Sequence, residues 1–131
     1  MHNLHEFIDI FSNISAEQVL REDDCFFAIY DSYPVADGHL LIISRRRIHH
    51  FLELSAQEYS AIGGWIAWGE AFLRENLPKC PDAFTIGIND GKAAGQTVPR
   101  LHLHIIPRYW GDVNDPRGGI RFVIPEKAVY W

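Results

Sequence analysis

The segment GQTVPRLHLHIIPRYWGD, residues Gly95–Asp112, carries two histidines inside an otherwise apolar run. Successive side chains of an extended strand point to opposite faces, so apolar and polar residues separate here. The two faces would carry, respectively, Leu101, Leu103 and Ile105, and Arg100, His102 and His104. The pattern therefore predicts a strand that packs into a core on one face and presents imidazoles for chemistry on the other.

The segments around this strand predict the rest of a sheet. CFFAIYD (Cys25–Asp31) and HLLIIS (His39–Ser44) are rich in aromatic and branched residues, and a turn-like stretch with Pro and Gly separates them. PDAFTIGIND (Pro81–Asp90) predicts a third strand, joined to the histidine strand by a glycine-bearing loop, which favours an antiparallel hairpin. A further short strand is expected at Ile120–Ile124.

One helix is indicated between these strands. Ser55 and Glu58 have the spacing of a capping box, and apolar residues then recur at helical spacing. A helix that is apolar on more than one side either lies deep in a core or packs against a partner chain, and in a small domain the second suggests a dimer surface. Gly63 and Gly64 cost about 1 kcal/mol each relative to alanine, which close packing would explain. The apolar positions are Tyr59, Ala61, Ile62, Trp65, Ile66, Trp68, Phe72 and Leu73.

Length and composition set the class of protein. The 131 residues, 47% of them hydrophobic, suit a single domain, 1–131, with a packed core. The order of elements predicts an α+β fold with an antiparallel sheet of about five strands and one main helix.

Charge and cysteine content narrow the partners and the compartment. A net charge of -5 disfavours nucleic acid as a partner. The basic cluster Ser44–His50 is expected to be a solvated loop rather than a phosphate patch. Two cysteines outside any paired-ligand motif favour a reducing, cytoplasmic location. No apolar run reaches the roughly 20 residues that a membrane span needs.

The histidine strand has two chemical interpretations. A neutral imidazole is a good nucleophile toward phosphorus, and the resulting phosphoramidate can be cleaved by water. Gln96 and Thr97 could then donate to phosphate oxygens, together with backbone amides of loop 91–95. The alternative is a zinc site, for which the candidate ligands are His39, His102 and His104.

The motif GQTVPRLHLHIIPR resembles the signature of the histidine triad superfamily, which alternates three histidines with apolar residues. YDSYPVADGHLLIISRR is similar to that family's first strand pair, and INDGKAAGQTV to the loop before its motif. The tail resembles that of bacterial members close to dinucleoside polyphosphate hydrolases. The resemblance covers residues 20–112 and implies a homodimer in which sheets or helices of two chains pair.

The resemblance also implies roles for individual residues. His102 matches the nucleophile that becomes nucleotidylated, and His104 matches a histidine that binds phosphate oxygen. His39 matches a histidine that supports these two by hydrogen bonding. The nucleotide-binding positions are matched by Asp31 at the ribose, with Ile29 beside it at the base, and by Asn89, Gln96 and Thr97 at the phosphates.

Arg100 departs from the pattern, because it stands where the first triad histidine belongs. A guanidinium stays protonated and cannot act as a neutral acid or base, but it could neutralise a polyphosphate leaving group. The implied activity is hydrolysis or nucleotidyl transfer at an α-phosphate, of the dinucleoside polyphosphate or nucleoside phosphoramidate hydrolase type. No cofactor is expected, although Mg²⁺ could accompany a polyphosphate. A nucleotide sensor with little turnover is the alternative function.

Overall fold

The computed structural model describes residues 9–131 and contains a five-stranded antiparallel sheet with one long helix. The order across the sheet is β1-β2-β3-β5-β4. This architecture confirms the predicted α+β fold. The elements are β1 (Arg21–Glu22), β2 (Phe26–Tyr30), β3 (Leu40–Ser44), α1 (Ala56–Asn76), β4 (Ala83–Gly87), β5 (His102–Arg108) and α2 (Pro125–Ala128).

The histidine strand β5 is an inner strand of the sheet. It pairs with β3 on one side, where Ile43 lies opposite His102 and Leu41 opposite His104, and with β4 on the other. The predicted antiparallel pairing of β4 with β5 is confirmed. Because β5 has hydrogen-bonded neighbours on both sides, the two imidazoles rise from a rigid part of the sheet.

Among the described residues, the sheet contains no strand at the C-terminal position that the sequence suggested. Residues Gly119–Val123 form a 3₁₀ helix, and Pro125 then occupies the first turn of the short helix α2. The apolar side chains of this stretch stay exposed, with Ile120 at 68% and Val123 at 76%. The strand predicted at Ile120–Ile124 is therefore wrong: apolar composition favours a strand only where a sheet edge and a buried face are available.

The two faces of the sheet are covered differently. Helix α1 packs on the face that carries Leu103 and Ile105, where the buried core includes Trp65 and Leu73. On the other face a smaller cluster of buried residues surrounds the histidines. Its members are Phe11, Phe27, Ile29, Leu41 and Ile43.

Close approach of α1 to the sheet occurs at a glycine that the sequence pattern had not singled out. A Cβ on Gly69 would lie 2.6 Å from Cδ1 of Ile105, so a side chain there would crowd the core. At Gly63 and Gly64 a Cβ would meet no atom of residues 9–131 within 4 Å. The close packing expected at that pair is therefore not found among the residues that the structure describes.

The predicted capping box begins α1 as expected. The Glu58 amide donates to Ser55 Oγ at 3.2 Å, and the Ser55 amide donates to Glu58 Oε1 at 2.7 Å. Arg46 Nη2 also lies 2.6 Å from Glu58 Oε1, and this hydrogen bond lowers the pKa of Glu58 to about 2. Within residues 9–131, no helix is both long and apolar enough to cross a bilayer.

Candidate functional site

A cavity of about 470 Å³ opens on the sheet face opposite α1. It is large enough for a nucleotide-sized ligand, and apolar side chains surround a few polar groups. Its polar lining comes from the strand ends and from the loops before β3 and β5. The polar residues are Asp31, Ser32, Tyr33, His39, Asn89, Thr97, His102 and His104, and the apolar ones include Ile10, Phe11, Ile14, Ile29, Val35, Leu41 and Val98.

The ring of His102 is held with one nitrogen unprotonated. Its Nδ1 lies 2.7 Å from the carbonyl oxygen of Arg100, and a carbonyl can only accept, so Nδ1 carries the proton. Burial lowers the pKa of His102, which keeps the ring neutral near pH 7. The Nε2 atom of His102 therefore has a free lone pair, as a nucleophile requires.

His104 has the complementary tautomer. The Val35 amide donates to His39 Nδ1 at 3.2 Å, so His39 carries its proton on Nε2. That Nε2–H donates to His104 Nδ1 at 2.9 Å, which leaves the His104 proton on Nε2. Burial, reinforced by the neighbouring imidazoles of His102 and His39, lowers the pKa of His104 to about 4. The cavity thus holds a bare nitrogen beside a neutral hydrogen-bond donor.

Asp31 lies at the end of β2 next to this pair of imidazoles. Its Oδ1 accepts from the Tyr33 amide at 2.9 Å, and its Oδ2 lies 3.4 Å from His39 Nε2. Ile29 is 2% exposed and lines the same cavity two residues earlier on the strand. The structure therefore brings the predicted nucleotide-binding residues Ile29 and Asp31 together with the histidines.

The residues that could bind zinc in the structure differ from the predicted set of His39, His102 and His104. Asp31, His39 and His104 offer ligand atoms that all lie within 4.8 Å of one another, whereas His102 is not part of this cluster. The two facing nitrogens of His39 and His104 already share a hydrogen bond. A metal bound between them would have to replace that bond.

The loop before β5 is stabilised by hydrogen bonds to a buried side chain. Gln96 is buried, accepts from the Gly91 amide at 2.9 Å and donates to the carbonyl oxygens of His49 and Val98. The amides of Ala94 and Gly95 donate to carbonyls of the same loop. Gln96 thus ties two loops together, whereas Asn89 and Thr97 line the cavity. The phosphate contact of Gln96 stays a prediction.

Arg100 lies beside the cavity rather than in its lining. Its Nε and Nη2 donate to the carbonyl oxygens of Ser44 and Arg45, both at 2.7 Å, and Nη1 lies 3.6 Å from Asp9 Oδ2. It lines a neighbouring cavity of about 420 Å³, and Phe11 and Ile14 line both cavities. The predicted leaving-group contact of Arg100 stays a prediction.

Sequence reasoning missed the N-terminal wall of the site. Ile10–Asn13 forms a 3₁₀ helix, and the ring of Phe11 stands edge-on to that of His102 with centroids 5.0 Å apart. The available signal was local: Asp9 precedes the segment and caps it by accepting from the Phe11 amide. A capped turn carrying apolar residues does not by itself reveal which surface it will cover.

Comparison with known proteins gives a consistent result. A profile of the HIT domain matches residues 13–111. An uncharacterised HIT-like protein of Mycobacterium tuberculosis is 38% identical over 94 residues, which are 71% of this chain and 63% of that protein. A bifunctional bis(5'-adenosyl)-triphosphatase/adenylylsulfatase of Arabidopsis thaliana is 31% identical over 99 residues, 76% of this chain and 54% of that protein. The match therefore spans less than two thirds of either relative.

The fold is also found in solved structures. The crystal structure of the nitrilase and fragile histidine triad fusion protein of Caenorhabditis elegans superposes with a TM-score of 0.71 at 31% identity. The match covers 84% of this chain and 26% of that one.

Proposed function

The chain belongs to the HIT domain family, and on that premise we propose that it cleaves nucleotides at the α-phosphate, with dinucleoside polyphosphates as its substrates. The observation that carries the proposal is the hydrogen bond from His102 Nδ1 to the Arg100 carbonyl, which leaves Nε2 unprotonated in a nucleotide-sized cavity. The triphosphatase relative from Arabidopsis supports the substrate class.

In the first step, the lone pair of His102 Nε2 attacks the α-phosphorus and forms an N–P bond. The bond from phosphorus to the bridging oxygen breaks, and its electron pair leaves with the departing nucleotide. The ring now carries positive charge, which the Arg100 carbonyl stabilises through its 2.7 Å contact with Nδ1. The Nε2–H of His104 donates to a non-bridging phosphate oxygen, where negative charge develops.

In the second step, water attacks the phosphorus of the nucleotidyl-histidine. The N–P bond breaks, its electron pair returns to His102 Nε2, and the water proton is released to solvent.

The leaving group of the first step determines which substrates suit the site. A departing terminal phosphate, with a second pKa of about 6, leaves as an anion without receiving a proton. An amine leaving group needs a proton. A guanidinium stays protonated and cannot supply one, so an arginine in place of a histidine at position 100 favours polyphosphates over phosphoramidates.

The cavity offers separate places for the parts of a nucleotide. Ile29 and Phe11 provide apolar contact for the base, Asp31 accepts from the ribose hydroxyls, and Asn89 and Thr97 donate to phosphate oxygens. The scheme requires no metal from the protein, although Mg²⁺ could accompany a polyphosphate substrate. The active assembly is a homodimer, for which β4 offers an edge of the sheet.

The proposal is tested by trapping the covalent intermediate. The protein is mixed with a panel of dinucleoside polyphosphates and nucleoside phosphoramidates, quenched within milliseconds in base, where phosphohistidine survives, and analysed by mass spectrometry for a nucleotidyl adduct on His102. His102→Gln should form no adduct and lose turnover, while His49→Gln, an exposed histidine outside the cavity, should behave as wild type. Turnover at the wild-type rate by His102→Gln would refute the mechanism.

The two alternatives give distinct results in the same preparation. A nucleotide sensor would bind nucleotides by calorimetry without turnover in the wild-type protein. A zinc enzyme would contain stoichiometric zinc by elemental analysis and lose activity with a chelator in proportion to the zinc removed. Either result would replace the hydrolase mechanism given above.

A further inference from the structure

Arg100 joins two parts of the chain that are distant in sequence. Its guanidinium is only 7% exposed and holds the carbonyl oxygens of Ser44 and Arg45, at the end of β3, through two hydrogen bonds of 2.7 Å. Its third nitrogen faces the Asp9 carboxylate at 3.6 Å, and Phe27 packs beneath it at 5.4 Å. The guanidinium is therefore fixed on the sheet by contacts that Asp9 does not provide.

Asp9 in turn organises the 3₁₀ segment Ile10–Asn13. Its Oδ1 accepts from the Phe11 amide at 3.1 Å, and its Oδ2 accepts from Ser12 Oγ at 3.0 Å. The same Oδ2 is the atom that faces Arg100. One carboxylate thus caps the segment and attaches it to the sheet.

The attached segment forms a wall of the histidine cavity. Ile10 and Phe11 line the cavity together with Ile14, and Phe11 is 6% exposed. The Phe11 ring stands at 73° to the His102 ring, edge to face, with centroids 5.0 Å apart. Movement of this wall would therefore change the apolar part of the cavity.

A histidine at position 100 could not make the same set of contacts. A neutral imidazole has one N–H donor, whereas the guanidinium has five donors in a fixed fork and a permanent charge. Two carbonyl oxygens and a carboxylate are engaged here at once. The arginine therefore makes contacts that a triad histidine would leave unmade.

We propose that Arg100 and Asp9 form a clasp that holds the 3₁₀ segment Ile10–Asn13 closed over the histidine cavity, so that Arg100 is a positioning residue that sets nucleotide affinity. The clasp acts on binding because the wall it holds contacts the bound nucleoside equally in the ground state and the transition state. Its loss raises KM and leaves kcat nearly unchanged. This effect on affinity rests on the function proposed above; the closure of the segment does not.

The test uses Asp9→Asn, which keeps the oxygen that accepts from the Phe11 amide but removes the charge that faces Arg100, together with the second oxygen, which accepts from Ser12 Oγ. Amide hydrogen exchange of residues 10–14 should become at least about 5-fold faster, and KM for a dinucleoside polyphosphate should rise about 5- to 20-fold with kcat within about 3-fold. The matched control is Glu22→Gln, which removes an exposed ion pair with Arg45 at 3.5 Å in the same region. This control should change neither quantity.

Arg100→His provides the second arm, because it restores the histidine of the family motif. It should open the segment as Asp9→Asn does, and the double variant should exceed Arg100→His only by the loss of the longer ion pair between Asp9 and Arg47, at 4.0 Å, since the two changes otherwise act through one contact. Should a variant at the buried position 100 fail to fold, Asp9→Asn and Glu22→Gln still decide the matter.

Two results would overturn the clasp. One is exchange of residues 10–14 in Asp9→Asn that matches the Glu22→Gln control. The other is a rise in kcat of Arg100→His with unchanged KM, which would make position 100 a proton-transfer position. If the wild-type protein turns over no nucleotide at all, the hydrolase proposal fails, whereas the exchange measurement still tests the closure of the segment.

Discussion

The side chains on the two faces of strand β5 are buried in different surroundings. On the α1 side, Leu103 and Ile105 join an apolar core in which Ile105 is 0% exposed. On the other side, His102 is 8% exposed and lines the cavity together with His104. The strand therefore supplies stability from one face and reactive groups from the other, one residue apart.

Burial affects aliphatic and imidazole side chains differently. Removing an aliphatic side chain from water contributes directly to folding, at about 25 cal/mol per Å². Burying an imidazole instead penalises its charged form, so the pKa of His102 falls and that of His104 falls to about 4. The same physical change produces a core on one face and a neutral nucleophile on the other.

The largest effect is expected at His102. His102→Ala should lower kcat for nucleotide cleavage by at least about 10³-fold, as removal of a nucleophile does. Its unfolding free energy should change by less than about 2 kcal/mol, because the side chain borders a cavity rather than the core. Steady-state kinetics and urea unfolding on one preparation measure both. A loss of stability matching the loss of activity would erase the distinction between the two faces.

The reciprocal substitution lies one residue away. Leu103→Ala should lower the unfolding free energy by about 2–5 kcal/mol through lost burial and a residual cavity. Activity per folded molecule at low temperature should stay within about 3-fold of wild type, because Leu103 points away from the site. Denaturant titration and active-site titration check this. A selective loss of kcat would contradict the separation of roles.

The histidine face should make stability depend on pH. The folded pKa of His104 is about 4, and those of His39 and His102 are also lowered, whereas the unfolded chain has the ordinary value of 6.5. Between pH 6.5 and 5 the unfolded state therefore binds more protons, so the unfolding free energy should fall as pH falls through this window and level off above pH 7.

Urea titrations at intervals from pH 8 to pH 5 measure this dependence. His104→Gln removes the group with the largest lowering among the three and should give a shallower slope. The chosen window lies above the ordinary pKa of carboxylates, so acidic groups contribute little to it. An equal slope in the variant would mean that His104 titrates in the folded protein as it does in the unfolded chain.

The smallest effects concern the glycines of α1. Gly69→Ala should destabilise by about 1–2 kcal/mol, because the gain in helix propensity is outweighed by crowding against Ile105. Gly63→Ala should stabilise by up to about 1 kcal/mol, since its Cβ would meet no atom of the described part of the chain within 4 Å. Thermal unfolding compares the two. Destabilisation by Gly63→Ala would point to a second copy of the chain packed at that position.

Local patterns were sufficient for most of the fold. The capping box at Ser55 and Glu58 and the two-residue alternation in β5 are properties of neighbours in sequence, so they could be read directly. The strand expected at Ile120–Ile124 failed because apolar composition cannot tell a segment with a sheet to join from one without. For the same reason the sequence did not indicate the close packing at Gly69, because the contact is with Ile105 of a strand far along the chain.

The sequence by itself determined the family, the face on which His102 and His104 stand, and the presence of Asp31 and His39 near them. Only the tertiary structure decided the protonation of each ring, because the contact between His39 and His104 joins residues 65 positions apart. It likewise turned Arg100 toward Ser44, Arg45 and Asp9. Periodicity assigns a side chain to a face, whereas the partner that its polar atoms meet depends on how distant segments pack.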